Sequence, residues 1–319
     1  MRCLVVLFAL LAAGTPYRYF LTGSATDVSP KPTAAFALIG GGKDVDDINR
    51  WFANKAAGGD LLVLRAAGDD AYNPYFFKLV TLNSAQTLVI PSAEAASDKF
   101  VVAQIAHAEA IFLAGGDQWN YVRLWNHSPV GDALRAAIQR GIPLGGTSAG
   151  LAVLGQYQFS AEKDTVASQR ALLDPYDEHV TLANDFLNIA ALKNTITDSH
   201  FKARDRMGRT LVFLARMLAD FHLPEARAIA IDERTAALIQ PNGQMHVAGL
   251  GHVYFLRARK PAAVCRKGIP LSMSGIEVYR TGEGAQFDTG AWRGSGGQQY
   301  SLTVSEGVVT SDQPNHSIY

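Results

Sequence analysis

The run Arg140-Gly-Ile-Pro-Leu-Gly-Gly-Thr-Ser-Ala-Gly-Leu-Ala-Val-Leu-Gly155 sets the frame for the whole chain. Ile142-Pro-Leu144 is a short apolar run, the glycines permit a sharp turn, and Ala149 to Leu154 has the composition of a buried helix. Ser148 is therefore expected at a strand-to-turn-to-helix junction. Its hydroxyl would point out of the end of a sheet, with the N–H groups that open the helix available to stabilise an oxyanion beside it. Gly146, Ser148 and Gly150 also satisfy the nucleophile-elbow pattern G-x-S-x-G. A glycine-rich turn whose serine merely caps a helix fits the same residues, so the decision falls to the rest of the chain.

Upstream, strand and helix signals alternate. Ala35 to Ile39 is an apolar strand ending in Gly40-Gly-Gly42, and Val45 to Ala57 has helical spacing with Ile48, Trp51 and Phe52 on one side. Leu61 to Leu64, Thr87 to Ile90 and Ala110 to Leu113 are further strands, with helices near Asp98 to His107 and Asp132 to Arg140. Repeated β-then-α order predicts an α/β fold with a mostly parallel sheet flanked by helices. Ligands of such sheets bind outside the carboxyl ends of the strands. Ser148, Gly115-Gly-Asp-Gln118 and Gly40-Gly-Gly42 all follow strands at that edge and can converge. Gly40-Gly-Gly-Lys43 is read as a turn rather than a phosphate loop, because Asp44 stands where a Ser or Thr should hold the metal.

Downstream, Gln156 to Asp185 is polar and weakly periodic, predicting loop with a helix near Val180 to Asn188. Thr195 to Thr197 reads as a brief strand and Met207 to Leu218 as a helix, which leaves His200 at a strand end beside Asp198, Arg204, Arg206 and Arg209. A lone histidine is commonly a hydrogen-bonded structural residue and arginines commonly face solvent. Here an acid and three cations surround one imidazole where the sheet should expose ligands. Ala228 to Gln240 reads as a hairpin with Asp232 and Glu233 in its turn. Beyond it come Gly-rich turns between β-like runs at Val253 to Leu256, Gly275 to Tyr279 and Tyr300 to Val304, with Gly282 to Gln299 the most loop-like segment. The expected organisation is a leader over 1–33, an α/β domain over 34–240 and a β-rich extension over 241–319.

The 319 residues are enough to bury a sizeable core, and a hydrophobic content of 48% with 18% charged residues describes an ordinary globular chain. The 29 basic and 29 acidic residues cancel, so neither nucleic acid nor an anionic membrane is an expected partner. Cys3 and Cys265 give neither a disulfide framework nor a cysteine metal site, and no metal or other cofactor is expected. Met1 to Gly14 has the layout of a secretory signal, too short to span a membrane. That favours a secreted or periplasmic location, with a cytoplasmic one the alternative because Tyr17 to Leu21 continues the hydrophobicity.

Taken together, Gly146-Thr-Ser-Ala-Gly150, Phe112-x-x-Gly-Gly-Asp-Gln118, Asp198-x-His-Phe201 with Arg204, Arg206 and Arg209, and Ile229-Ala-Ile-Asp-Glu233 followed by Thr235-Ala236 resemble the cyanophycinase and aspartyl dipeptidase family of serine peptidases. The resemblance spans about Ala34 to Gln240 and implies a fold like the class I glutamine amidotransferases with a Ser-His-Glu triad. Carried over motif by motif, it implies Ser148 as nucleophile, His200 as base and Glu233 as its orienter, with Gln118, Asp198, Arg204, Arg206 and Arg209 lining the substrate pocket. The implied substrate is a β-aspartyl peptide or a cyanophycin-like polymer, and self-association as a homodimer is allowed. The interval from Ser148 to His200 is wide and the β-rich tail has no counterpart in the minimal fold.

Amide hydrolysis asks for the same groups: an activated hydroxyl, an imidazole that takes and returns its proton, a carboxylate that fixes the imidazole tautomer, and oxyanion donors. Ala149 N–H with an N–H of Gly115 or Gly116 are the natural donors. Residues alone leave both Glu233 and Asp198 available to orient His200. Alternatives are an aspartyl dipeptidase, an α/β-hydrolase esterase with its acid at Asp174 or Asp198, a glutamine amidotransferase module, which needs a thiol where Ser148 stands, and a catalytically silent binding domain.

Overall fold

The computed structural model describes residues 14–319 together with the backbone of Phe8–Ala9. Apart from that dipeptide and Gly14, the apolar run read as a secretory signal lies outside the described residues. Strands Ser84–Val89, Asp60–Arg65, Ala110–Leu113, Leu144–Thr147 and Phe36–Ile39 run parallel, side by side in that order. Helices Asp46–Ala53 and Tyr72–Leu79 cover one face, where Phe52 and Phe76 pack on Val63 and Phe112. Helices Lys99–His107, Gln118–Trp125 and Pro129–Gln139 cover the other, where Ile105, Trp125 and Leu134 pack on Leu38, Leu64 and Ile111. The fold is α/β, with a parallel core flanked by helices. Phe36–Ile39, Leu61 to Leu64 and Ala110–Leu113 are unbroken apolar runs because both faces of the sheet are buried.

A second sheet stands beside the first. Tyr157–Phe159, Thr195–Asp198 and Ala226–Ile231 are its parallel members, followed by antiparallel Val253–Ala258, Ile269–Thr281, Gln298–Ser305 and Val308–Ser311. Helix Met207–Asp220 packs against it, and Leu211, Phe213, Leu214 and Met217 are wholly buried. Each such burial contributes roughly 1.5–3 kcal/mol. The first sheet also continues antiparallel beyond Phe36–Ile39 through Thr235–Ile239, Gln244–Gly249, Gln286–Asp288 and Arg293–Ser295. The residues after Gln240 form a β-rich region whose strands prolong both sheets. Among the described residues no helix is long and apolar enough to cross a membrane.

Three local expectations are corrected. Ala226–Ile231 and Thr235–Ile239 are not a hairpin: each sits inside a different sheet, paired on both sides with other strands. Both segments are buried along nearly their whole length, so each needs neighbours on both edges rather than one partner. Their connection, Asp232 to Arg234, therefore bridges the two sheets. The strand feeding Ser148 is Leu144–Thr147 rather than 142–144, with Gly145 and Gly146 inside it. A Cβ on Gly145 would lie 3.0 Å from the Phe52 ring, so this glycine serves close packing. The helix expected near Val180 to Asn188 is absent; Leu182–Asn184 pairs as a strand with Tyr157–Phe159, and the helix of this stretch is Ser168–Leu173.

Candidate active site

Ser148 follows its strand in a strained conformation, φ +54° and ψ −113°, which no proline or glycine relieves. Such backbone costs on the order of 1–3 kcal/mol and persists only when its surroundings over-determine it. Here Ser148 N–H donates to the Ile39 carbonyl at 3.1 Å, and the Ser148 carbonyl accepts from Ala152 N–H at 3.0 Å. The short helix Ala149–Ala152 lies directly on strand backbone: a Cβ on Gly150 would stand 2.0 Å from the Leu113 carbonyl oxygen, and one on Gly146 2.5 Å from Gly150. The glycines of G-x-S-x-G are thus close-approach residues, and the sharp turn falls on the serine itself.

Three side chains from three segments form one hydrogen-bonded chain. Ser148 Oγ lies 2.8 Å from His200 Nε2, and His200 Nδ1 lies 2.6 Å from Glu233 Oε1. A carboxylate only accepts, so Nδ1 carries the proton and Nε2 accepts from the serine hydroxyl. His200 is at φ +47°, just past strand Thr195–Asp198, with its N–H on the Gly40 carbonyl at 2.8 Å. Glu233 sits in the connection between the sheets. Asp232 braces this seam, its carboxylate accepting from Lys202 N–H at 2.9 Å and His252 N–H at 3.1 Å. The Gly40-Gly-Gly42 turn is the seat of the pair: a Cβ on Gly41 would lie 2.5 Å from the His200 ring and one on Gly42 2.9 Å from the Glu233 side chain. Sequence reasoning missed this role, although three consecutive glycines after a strand were its signal.

Burial pushes the His200 imidazole below its ordinary value, and Arg204 and Arg206 add to that fall against the opposing pull of Glu233. The free thiol of Cys265 is, by contrast, pushed up to about 11 by burial.

Asp198 does not reach for His200 in this network. Its buried carboxylate takes Arg209 Nε at 2.9 Å and Nη2 at 2.5 Å, Arg206 Nη1 at 3.2 Å, Thr210 Oγ1 at 3.2 Å and its neighbour's N–H at 2.9 Å. Burial alone would raise this carboxyl; Arg209 and Arg206 reverse the effect and hold it below the usual range. Arg209 is only 2% exposed, stacked 4.9 Å from the Phe159 ring. Arg206 is drawn down to about 10 by burial, against the pull of Asp198. Arg204 is exposed, and its guanidinium makes no hydrogen bond or ion pair among the described residues. Asp174, the other carboxylate considered, accepts from Tyr176 and Gly268 N–H groups instead.

Ser148, His200, Arg204 and Arg206 line a small cavity of about 60 Å³ together with Gln118, Gly116 and Ala149. Gln118 opens helix Gln118–Trp125, capped by Asp117, and points Nε2 toward the Phe159 carbonyl at 3.4 Å. A Cβ on Gly115 would be 3.5 Å from that of Ser148, so the Gly115 backbone abuts the serine. A larger adjoining cavity, about 660 Å³, shares Gln118 and the three arginines and is walled by residues 161–167 from the long interval before His200.

Comparison with known proteins places the chain in a family. The chain is 28% identical over 196 residues to a cyanophycinase of Geminocystis herdmanii, covering 60% of this chain and 66% of that one. It is also 28% identical over 184 residues to a cyanophycinase of Synechococcus elongatus, covering 57% and 52%. The chain thus matches between half and two thirds of the length of these curated relatives. The crystal structure of a peptidase from an acI-B1 Actinobacterium superposes with a TM-score of 0.54 at 16% identity, over 81% of this chain and 98% of that one, and shares the fold. The sequence profile of peptidase family S51 matches residues 67–239, more than half of the chain and the whole interval that holds Ser148, His200 and Glu233. This chain belongs to peptidase family S51.

Proposed function

We propose that the protein is a serine peptidase that hydrolyses β-aspartyl peptide bonds by a Ser148-His200-Glu233 triad, with a cyanophycin-like polymer as its leading substrate. The observation that carries the reading is the continuous hydrogen-bonded chain from Ser148 Oγ to Glu233 at the mouth of a cation-lined cavity. Ser148 Oγ adds to the carbonyl carbon as its proton passes to His200 Nε2. The intermediate collapses by breaking the C–N bond, and His200 gives that proton to the departing amine. Water then repeats the sequence on the acyl-enzyme. Glu233 holds the tautomer, while Ala149 N–H and an N–H of Gly115 or Gly116 stabilise the oxyanion. A β-linked aspartyl residue keeps a free α-carboxylate, and the Arg204 guanidinium, unpaired among the described residues, is available to bind it, with Arg206 and Gln118 behind.

The test compares release of β-Asp-Arg from cyanophycin with cleavage of β-Asp and α-Asp dipeptides by the purified protein. Preference for the β-linked substrates is expected; preference for uncharged esters would overturn the reading. Arg204→Ala is expected to raise KM for β-aspartyl substrates about tenfold, the lower range for a charged hydrogen bond at an exposed site, with smaller change in kcat. Indifference of KM to this substitution would remove Arg204 from substrate binding.

The pH dependence follows from the displaced imidazole. His200 must be neutral to accept the serine proton, and its ionisation is lowered, chiefly by burial. The acid limb of kcat/KM is therefore expected below the ordinary histidine value of about 6.5. Removing the Arg204 charge should move the limb upward. A limb above about 7, or a downward move in Arg204→Ala, would contradict this account.

A further inference from the structure

The loop from Phe201 to Arg206 presents Arg204 to the cavity and is turned by its own backbone, with Arg204 N–H on the His200 carbonyl at 3.0 Å, Asp205 N–H on the Lys202 carbonyl at 3.1 Å and Arg206 N–H on the Phe201 carbonyl at 3.0 Å. Left-handed backbone stands just before it, at His200 with φ +47°, and within it, at Asp205 with φ +46°. Conformations of this kind relax unless outside contacts enforce them. Two clamps come from segments already described: Asp232 on Lys202 N–H, and Ser168 of the helix Ser168–Leu173, whose hydroxyl donates to the Asp205 carbonyl.

The third clamp comes from the end of the β-rich region. Past strand Val308–Ser311 the chain turns back, held by Gln313 Nε2 on the Ser317 carbonyl at 2.7 Å and Tyr300 Oη on the Ile318 carbonyl at 3.1 Å. This brings Tyr319 onto the loop. Its hydroxyl donates to Asp205 Oδ1 at 2.8 Å and accepts from Met207 N–H at 3.0 Å, which is the first N–H of helix Met207–Asp220. Its ring meets Phe201, the residue after His200, edge-on at 5.7 Å and Tyr254 at 6.0 Å. Burial and the Asp205 bond push the phenol well above its ordinary value, so it remains a donor across the working pH range.

We infer that Tyr319 is a positioning residue: by bonding Asp205 and Met207 it fixes the Phe201 to Arg206 loop so that the Arg204 guanidinium faces the substrate cavity. The β-rich region thereby contributes to substrate affinity without touching substrate. The kinetic part of this inference rests on the peptidase reading above, whereas the docking itself does not. Tyr319→Phe keeps the ring and removes both hydrogen bonds. Amide hydrogen exchange over residues 202–207 is expected to quicken in this variant while exchange in the parallel strands stays unchanged. KM for a β-aspartyl peptide is expected to rise about fivefold, the scale of a lost hydrogen bond, with kcat within about twofold. That rise should vanish in the Arg204→Ala background, because the two residues act through one contact.

Unchanged exchange over 202–207 overturns the inference, and so does a KM effect of the same size with and without Arg204, which would mark a general structural role. If the unmodified protein cleaves no β-aspartyl peptide, the peptidase reading fails. Loop exchange alone then upholds or overturns the docking.

Discussion

Ser148→Ala is expected to lower turnover of a β-aspartyl peptide by about 10⁴- to 10⁶-fold, because it removes the hydroxyl that the whole hydrogen-bonded chain serves. The substitution deletes one atom from a turn already shaped by Gly146 and Gly150 packing, so thermal unfolding should be nearly unaffected. His200→Ala should be comparably damaging. The double variant should lose little beyond either single one, since groups that act as a unit are not additive. Activity of Ser148→Ala within about tenfold of the parent, or additive losses, would contradict the assignment of Ser148 as nucleophile.

Asp198→Ala is expected to carry the largest cost in stability, about 3–5 kcal/mol in denaturant unfolding, because it leaves Arg209 and Arg206 as buried cations without their carboxylate. The effect should be larger than that of Glu233→Ala, whose side chain is 38% exposed. The sign of its pH dependence is fixed by the lowered carboxyl. A carboxylate held below its unfolded value stabilises the fold above about pH 3.9, and that contribution is lost as pH falls through the lower folded value. In Asp198→Ala this acid-dependent part of the unfolding curve should disappear. A loss under about 1 kcal/mol would show that the buried cluster is not what holds the arginines in place.

Much of the candidate site was legible because its residues are concentrated at strand ends, and strand ends are marked by apolar runs that stop at glycine or a charged residue. Leu61 to Leu64 and Ala110 to Leu113 announced parallel strands in this way, and Ser148, His200 and Glu233 fell at the edges where such strands release the chain. What was not legible depended on partners distant in sequence. The segment Ala228 to Gln240 has the local composition of a hairpin, and only its burial on both faces assigns its halves to separate sheets. Gly145 and Gly146 look like turn residues, but the rings of Phe52 and Phe112 and the helix after Ser148 demand their missing Cβ atoms inside a strand. Among the arginines, spacing gave no means of telling Arg209, locked beneath Phe159 by Asp198, from Arg204, which faces the cavity. The Tyr319 contact, 112 residues from Met207 along the chain, has no signature in the motif that it braces.

The central claim, that His200 activates Ser148 as a nucleophile, is tested most directly by labelling the purified protein with an uncharged fluorophosphonate and mapping the adduct by mass spectrometry. The account predicts one stoichiometric adduct on Ser148, formed at a rate that falls with acid along the same limb as kcat/KM and lost in His200→Ala. An unlabelled protein, or an adduct on another residue with Ser148 unmodified, would contradict it.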